Sequence, residues 1–337
     1  MRRIALVLAF GAAASIAGTA AAQTLKAVKD RGLLVCGLSE GLYGFSAADE
    51  KGNWSGFDVD FCRAIAAAVF NDPARIKFVP LSTGERFTAL KSGTIDVLSR
   101  DTTWTISREA ALGLNFAAVT YYDGQGFLVP AALKVESALE LDGKLVCTQT
   151  GTTTELNLAD HFGANGMKYD LIAGKTADET RKAYESGRCN VLTSDVSQLY
   201  AERLKLPNPG DHIILPDIIS KEPLGPAVRQ GDDQWFNIVK WTHFAMINAE
   251  ELGVSSKTID QAMKSEKPDV KRLVGTDGAY GEQIGLTRDW AARIVRLVGN
   301  YEEVFERNVG TGSKLGIPRG VNSLWTRGGI QYAPPIR

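Results

Sequence analysis

The 337-residue chain predicts an α/β protein of two lobes, each on a parallel-rich sheet, extended by C-terminal helices. Three observations predict this. Short apolar runs alternate with helix-length segments from Leu33 to Ser99, the pattern of βαβ units. The same alternation starts afresh between Tyr122 and Thr193. Beyond "SKEPLGPAVRQGDDQWFNIVKW" the pattern turns mainly helical.

The chain opens with Arg2-Arg3, an apolar stretch from Ile4 to Ala17, and the small residues Ala20-Ala21-Ala22. That order predicts a secretory signal peptide over residues 1–22, cut after Ala22. No lipobox cysteine follows, so a soluble exported protein is expected over a lipoprotein. No later apolar run approaches the ~20 residues of a membrane helix.

Leu33–Cys36 reads as a buried strand, and Asp49–Gly52 as a reversal. Asp58 to Phe70 reads as a helix, with Cys62, Ile65, Ala66, Val69 and Phe70 at helical spacing and acids at its start. Lys77–Pro80 and Ile95–Ser99 read as strands around a helix over Glu85–Lys91. In the second unit Lys144–Cys147, Lys168–Ile172 and Asn190–Thr193 read as strands. Thr154–Phe162 and Thr176–Ser186 read as its helices. Asp233–Leu252, Ser256–Lys264 and Thr287–Phe305 are expected helices before a Gly-rich tail.

Composition excludes several classes. Apolar residues make up 44% of the chain, enough for two real cores. Without Arg2 and Arg3 the 38 basic residues become 36 against 39 acidic, about −3, which fits neither a nucleic-acid nor an anionic-membrane binder. The four cysteines form an even set in an exported chain, which suggests two disulfides. Of three pairings, Cys36–Cys62 and Cys147–Cys189 keep each bond inside one lobe. Neither the cysteines nor the three histidines show metal-ligand spacing, so no metal or cofactor is expected.

Three strand-to-helix junctions concentrate chemistry. "CTQTGTTTE" crowds Thr148, Thr150, Thr152, Thr153 and Thr154 around Gly151. Threonines there serve either as helix caps or, with free backbone N–H groups and the dipole, as an anion seat. "RDTTWTISREA" places Arg108 in the first turn of a short helix expected to run to Leu114, capped by Thr105 or Ser107. A cation gains nothing there unless it grips a carboxylate, with a salt bridge as the plain alternative. "SDVSQLYAERL" puts Asp195 at a strand end, facing either a helix start or an ammonium. Together Arg108, Thr152, Thr153 and Asp195 complement both poles of an α-amino acid, whose charges cannot be buried unpaired. Phe45, Trp54, Trp104, Tyr121 and Tyr122 are candidate stacking residues, Trp104 foremost because it lies in the arginine loop. Gly-x-Ser-x-Gly, His-Glu-x-x-His and Walker motifs are absent.

Gly56-Phe57-Asp58-Val59-Asp60-Phe61, followed by Ile65-Ala66 and Val69, resembles the signature of family-three periplasmic solute-binding proteins of polar amino-acid ABC transporters. "LKSGTIDVLS", "SRE", "TGTTTE" and "KEPLGPAVR" fall in that family's order, and the likeness spans about Leu25 to Leu252. The C-terminal "NSLWTRGGIQYAPP" is similar to the general L-amino-acid-binding subgroup.

The resemblance implies the type II periplasmic-binding-protein-like fold, with residues 24–126 and 226–337 in lobe one and 127–225 in lobe two. Hinges are expected near Gly126–Val129 and Pro223–Val228. It implies a monomer in the periplasm that binds free L-amino acids and delivers them to permease subunits with a cytoplasmic ATPase. By position, Arg108 matches the carboxylate-binding arginine, Thr153 the threonine of the Gly-Thr-Thr turn and Asp195 the ammonium-binding aspartate. Asp101 and Thr103 fall at polar contact positions, Asp101 departing in charge. Leu42 stands where the family often stacks an aromatic, with Tyr43 and Phe45 beside it. Arg86 and Arg100 are basic additions near the expected pocket, favouring polar or acidic ligand side chains. The rival is an enzyme on the same fold, such as a cyclohexadienyl dehydratase, with Glu155 or Asp195 as general acid.

Overall fold

The computed structural model describes residues 24–337. The signal peptide expected over residues 1–22 lies outside the described residues.

Two five-stranded sheets organise the chain. The first runs Ile76–Pro80, Leu34–Leu38, Val97–Leu98, Ala227–Arg229, Leu114–Phe116. The second runs Tyr169–Gly174, Lys144–Gln149, Val191–Asp195, Gln125–Pro130, His212–Ile214. In each sheet the first three strands are parallel and the fourth runs against both neighbours. That fourth strand reaches its sheet directly from a crossing between the lobes. The sequence therefore yields a two-lobe type II α/β fold with matched sheets.

The crossings pair as a two-stranded ribbon, Tyr121–Asp123 against Glu222–Leu224. The first expected hinge, Gly126–Val129, lies instead inside the second sheet, where Gly126–Leu128 pair with Leu192–Ser194. Its apolar run is a core strand; Phe127 and Val129 are fully buried. The paired crossing starts five residues earlier, at Tyr121.

Each sheet is packed on both faces, as parallel-rich sheets require. On the first sheet the helix Phe57–Phe70 buries Phe57, Phe61, Ile65 and Ala68. Its two signature acids are also buried and have distinct partners. Asp58 accepts from Ser99 Oγ at 3.2 Å and the Asp101 amide at 3.0 Å. Asp60 accepts from Arg307 Nε at 2.8 Å and Asn308 Nδ2 at 2.7 Å. One acid therefore holds a loop of the cleft, and the other ties down the C-terminal helices.

The C-terminal helices differ from expectation. Thr287–Phe305 is not one helix but two, Trp290–Leu297 and Tyr301–Asn308. Gly299, at φ 108°, breaks the run, and Asn300 then opens the second helix with a capping box to Glu303. A further helix, Pro268–Val274, starts at a proline and ends at Gly275. Tyr301 and Phe305 from this extension join the first lobe's core.

The cysteines pair as Cys36–Cys62 and Cys147–Cys189, with Cα separations of 6.4 and 5.8 Å. Each bond ties a central strand of one sheet to neighbouring structure of the same lobe.

Candidate functional site

A cleft of about 830 Å³, open mouth included, lies where the parallel strands of both sheets end. Loops after Leu38, Pro80 and Leu98 form one wall; those after Gln149, Gly174 and Asp195 form the other. This is the crevice at the strands' carboxyl ends where α/β proteins bind ligands. Arg86, Arg100, Asp101, Thr103, Arg108, Thr152, Thr153 and Asp195 all line it.

Arg108 stands in a five-residue π-helical turn, Ser107–Ala111, shorter than the helix expected to Leu114. Leu114–Phe116 is a strand, because Leu114 and Phe116 alternate inward onto the first sheet. Thr105 Oγ1 accepts the Arg108 amide at 3.2 Å. The buried guanidinium donates through Nη1 to the Thr103 carbonyl at 2.8 Å, which leaves its remaining donors toward the cleft.

On the opposite wall the helix Thr153–Ala164 begins without a side-chain cap. Thr152 Oγ1 donates to the Gln149 carbonyl or shares a hydrogen with Thr154 Oγ1, both at 2.6 Å. Thr154 Oγ1 also meets Thr148 Oγ1 at 3.2 Å. The threonines thus close the turn, and the first N–H groups of the helix face the cleft unoccupied by a cap. Gly151 serves the turn, at φ 72°, and does not line the cleft.

Asp195 occupies the N-cap position of Val196–Leu204, yet its side chain makes no cap bond. Asp123 of the hinge ribbon takes that role, accepting from the Ser197 amide at 3.2 Å. The Asp195 carboxylate, 6% exposed, is therefore left to the cleft.

The arginines of the cleft lack partners of opposite sign. Among the described residues no ion pair joins Arg86, Arg100 or Arg108 to a carboxylate within 4.0 Å. Arg86 is 3% exposed, and its Nε has no hydrogen-bond partner; nor has Asp101 Oδ1. Burial, then Arg100 and Arg108, push the Arg86 guanidinium well below its ordinary pKa. Burial, then Asp58 and Asp123, raise Asp101 to about 8. Burial, then Asp101, Asp123 and Glu222, hold Asp195 well above the carboxylate range. The arginines and the acids are thus desolvated and unpaired with one another, and the acids keep their protons until a positive charge is placed beside them.

Not every expected residue reaches the cleft. Trp104 does not line it: its ring stacks on Phe116 at 5.7 Å and its Nε1 donates to Glu109 at 2.6 Å. Phe45 and Tyr121 pack in the core edge to face, 5.4 Å apart. Trp54 packs on Phe78 and also lies outside the lining. Leu42 does line the cleft, while Tyr43 does not. Arg100 is partly committed, donating to the Leu81 carbonyl at 2.9 Å and to Thr83 Oγ1 at 3.2 Å. Glu155 turns back to accept from the Gly151 amide at 3.1 Å. Sequence reasoning missed Gln149, Ser194, Gln198, Glu202 and Lys205 in the lining, and Glu222 beneath it. Glu222 had a signal: an acid before proline in an extended crossing.

The sequence profile of bacterial extracellular solute-binding proteins, family 3, matches residues 34–258. The chain is 58% identical over 335 residues to the general L-amino acid-binding periplasmic protein AapJ of Rhizobium johnstonii, covering 99% of this chain and 97% of that one. It is 49% identical over 338 residues to the glutamate/glutamine/aspartate/asparagine-binding protein BztA of Rhodobacter capsulatus, covering 100% of both. A periplasmic binding protein of an ABC transporter from Brucella ovis, solved with glutathione bound, superposes with a TM-score of 0.92 at 53% identity, covering 93% of this chain and 99% of that one. With its profile match, its matched sheets and its cleft between the strand ends, this chain belongs to family 3 of the bacterial extracellular solute-binding proteins.

Proposed function

We propose that this chain is the periplasmic substrate-binding component of an ABC importer for free L-amino acids, cut after Ala22 on export. One observation carries the reading: Arg108 on one wall and Asp195 on the other, both buried, offer a guanidinium and a carboxyl to the same space, and an ammonium beside Asp195 draws out its charged form. Arg108 and the first N–H groups of the Thr153 helix receive the α-carboxylate. Asp195, with Asp101 beside it, receives the α-ammonium. Closure brings the walls together on the solute, and a membrane permease with its ATPase reads the closed shape. No bond is broken.

The relatives' names support a common head group. Amino acids and glutathione all carry a free ammonium and carboxylate on one carbon, while the rest of each molecule differs. Arg86 and Arg100 extend this reading to acidic side chains. The dehydratase alternative is weakened because Glu155, one of its two candidate acids, is tied to its own turn.

Calorimetry and thermal shift with the twenty amino acids and glutathione test the reading. Binding by several of them, abolished for all by Arg108→Glu, is expected. Binding that survives the charge reversal, or turnover of a prephenate-type acid, would sink it.

A further inference from the structure

Glu222 lies on the hinge ribbon, 1% exposed, and no function assigned above uses it. Its carboxylate nevertheless gathers donors from both walls. Oε2 accepts from Thr103 Oγ1 at 2.5 Å and Thr153 Oγ1 at 2.9 Å. Oε1 accepts from Asn157 Nδ2 at 2.6 Å and Ser220 Oγ at 2.9 Å. Thr103 belongs to the loop of the first sheet that also holds Arg108, through the Thr103 carbonyl. Thr153 and Asn157 sit four residues apart on one helix face of the second lobe.

We propose that Glu222 is the positioning residue of the cleft, a pivot that sets how the Thr153 helix faces Arg108. The inference rests on the amino-acid reading above for what the cleft then holds. A carboxylate has only acceptor sites, so four donors saturate it. Both threonine hydroxyl protons are therefore committed to Glu222 and point away from the ligand. The hydroxyls present only lone pairs to the cleft. A ligand carboxylate then relies on Arg108 and on helix N–H groups, and the two threonines act on affinity through Glu222. Because Glu222 rides on the ribbon itself, its bonds lie near the axis about which the lobes turn. On this proposal they limit how the walls can twist about one another.

The test uses Glu222→Gln, Thr153→Val and the double variant in the mature chain. Glu222→Gln replaces one acceptor oxygen by a donor, so the buried donors around it lose a partner. Calorimetry with the amino acids that bind the unmodified chain is expected to show at least about a tenfold loss for Glu222→Gln. Thr153→Val weakens binding less, and the double variant loses no more than Glu222→Gln alone. Losses that multiply in the double variant overturn the proposal, since Thr153 would then act on the ligand directly.

A second readout is independent of ligand. Spin labels at Lys51→Cys and Lys168→Cys, exposed on different lobes, report the interlobe distance distribution of the empty protein. Glu222→Gln is expected to broaden or shift it, and an unchanged distribution overturns the pivot. If the unmodified chain binds no amino acid, the function reading fails while this readout still decides the pivot. Should Glu222→Gln not fold, Asn157→Ala removes one donor of the same carboxylate and takes its place in both measurements.

Discussion

Asn322 grips Tyr122 by both backbone groups: the Tyr122 N–H donates to Oδ1 at 2.7 Å, and Nδ2 donates to the Tyr122 carbonyl at 2.9 Å. The side-chain amide thus acts like one peptide unit of a third strand beside the hinge ribbon. Gln331 reinforces the contact, donating to the Thr120 carbonyl at 3.3 Å and to Tyr301 Oη at 3.1 Å. The C-terminal extension is therefore fastened to the ribbon that crosses between the two sheets.

Asn322→Ala leaves the Tyr122 N–H and carbonyl without this partner. Unsatisfied backbone groups cost about 1–3 kcal/mol each when buried, and Tyr122 is only partly so, which favours the lower end. A loss of about 1–2 kcal/mol in urea unfolding is expected. A change within the error of the measurement would show that water replaces the amide without cost.

Arg86 and Arg100 differ in how free they are. Arg100 already donates to Leu81 and Thr83, whereas Arg86 Nε has no partner among the described residues. Arg86→Ala should therefore weaken glutamate more than alanine, by about tenfold in the ratio of affinities, and Arg100→Ala by less. Equal losses for both ligands in the Arg86 variant would place its role in folding.

The raised acids make binding pH-dependent. Burial, then Asp58 and Asp123, push the Asp101 carboxyl up to about 8. An ammonium placed beside it favours its charged form and lowers that value. Ligand uptake at pH 7 should then release protons, seen as a buffer-dependent enthalpy, and affinity should fall as pH drops below 8. Uptake without proton release would remove Asp101 from the ammonium seat.

Stability of the empty protein carries the opposite sign. Asp58, raised to about 7 chiefly by burial, and Asp101 both bind protons more tightly folded than unfolded. Their contribution is full below the ordinary value of 3.8 and is lost as pH rises through about 7 to 8. These two groups predict an unliganded Tm that declines from pH 5 to pH 8.5, with a bound amino acid restoring more at pH 8.5 than at pH 5. A Tm that rises across that range would contradict it.

The two disulfides close segments separated by 26 and 42 residues. Loop-closure entropy of that size corresponds to about 3–4 kcal/mol for each. Replacing either pair with serine should lower the unfolding free energy in guanidinium by about that much, seen as a lower midpoint, and reductant should lower the midpoint of the unmodified chain. An unchanged midpoint in both would argue against closed bonds.

Much of this protein is legible in residue order. Periodicity locates the strands and helices of both sheets, because burial on both faces writes runs such as Leu34–Leu38 and amphipathic spacing writes helices such as Phe57–Phe70. Lobe membership of the cysteines anticipates their pairing. The strand-end positions of Arg108, Thr153 and Asp195 point to one crevice, since parallel strands deliver their carboxyl ends to the same side.

Other features depend on contacts between distant segments, which local patterns do not encode. Whether Asp195 caps its helix turns on Asp123 of the ribbon, 74 residues before Ser197, accepting the Ser197 amide first. Trp104 leaves the cleft because Phe116 offers its ring a face and Glu109 takes its N–H. Glu222 matters only because the fold carries Thr103, Thr153 and Asn157 to one buried carboxylate. A side chain's type sets what it can donate or accept; which partner reaches it first is set by packing across the whole chain.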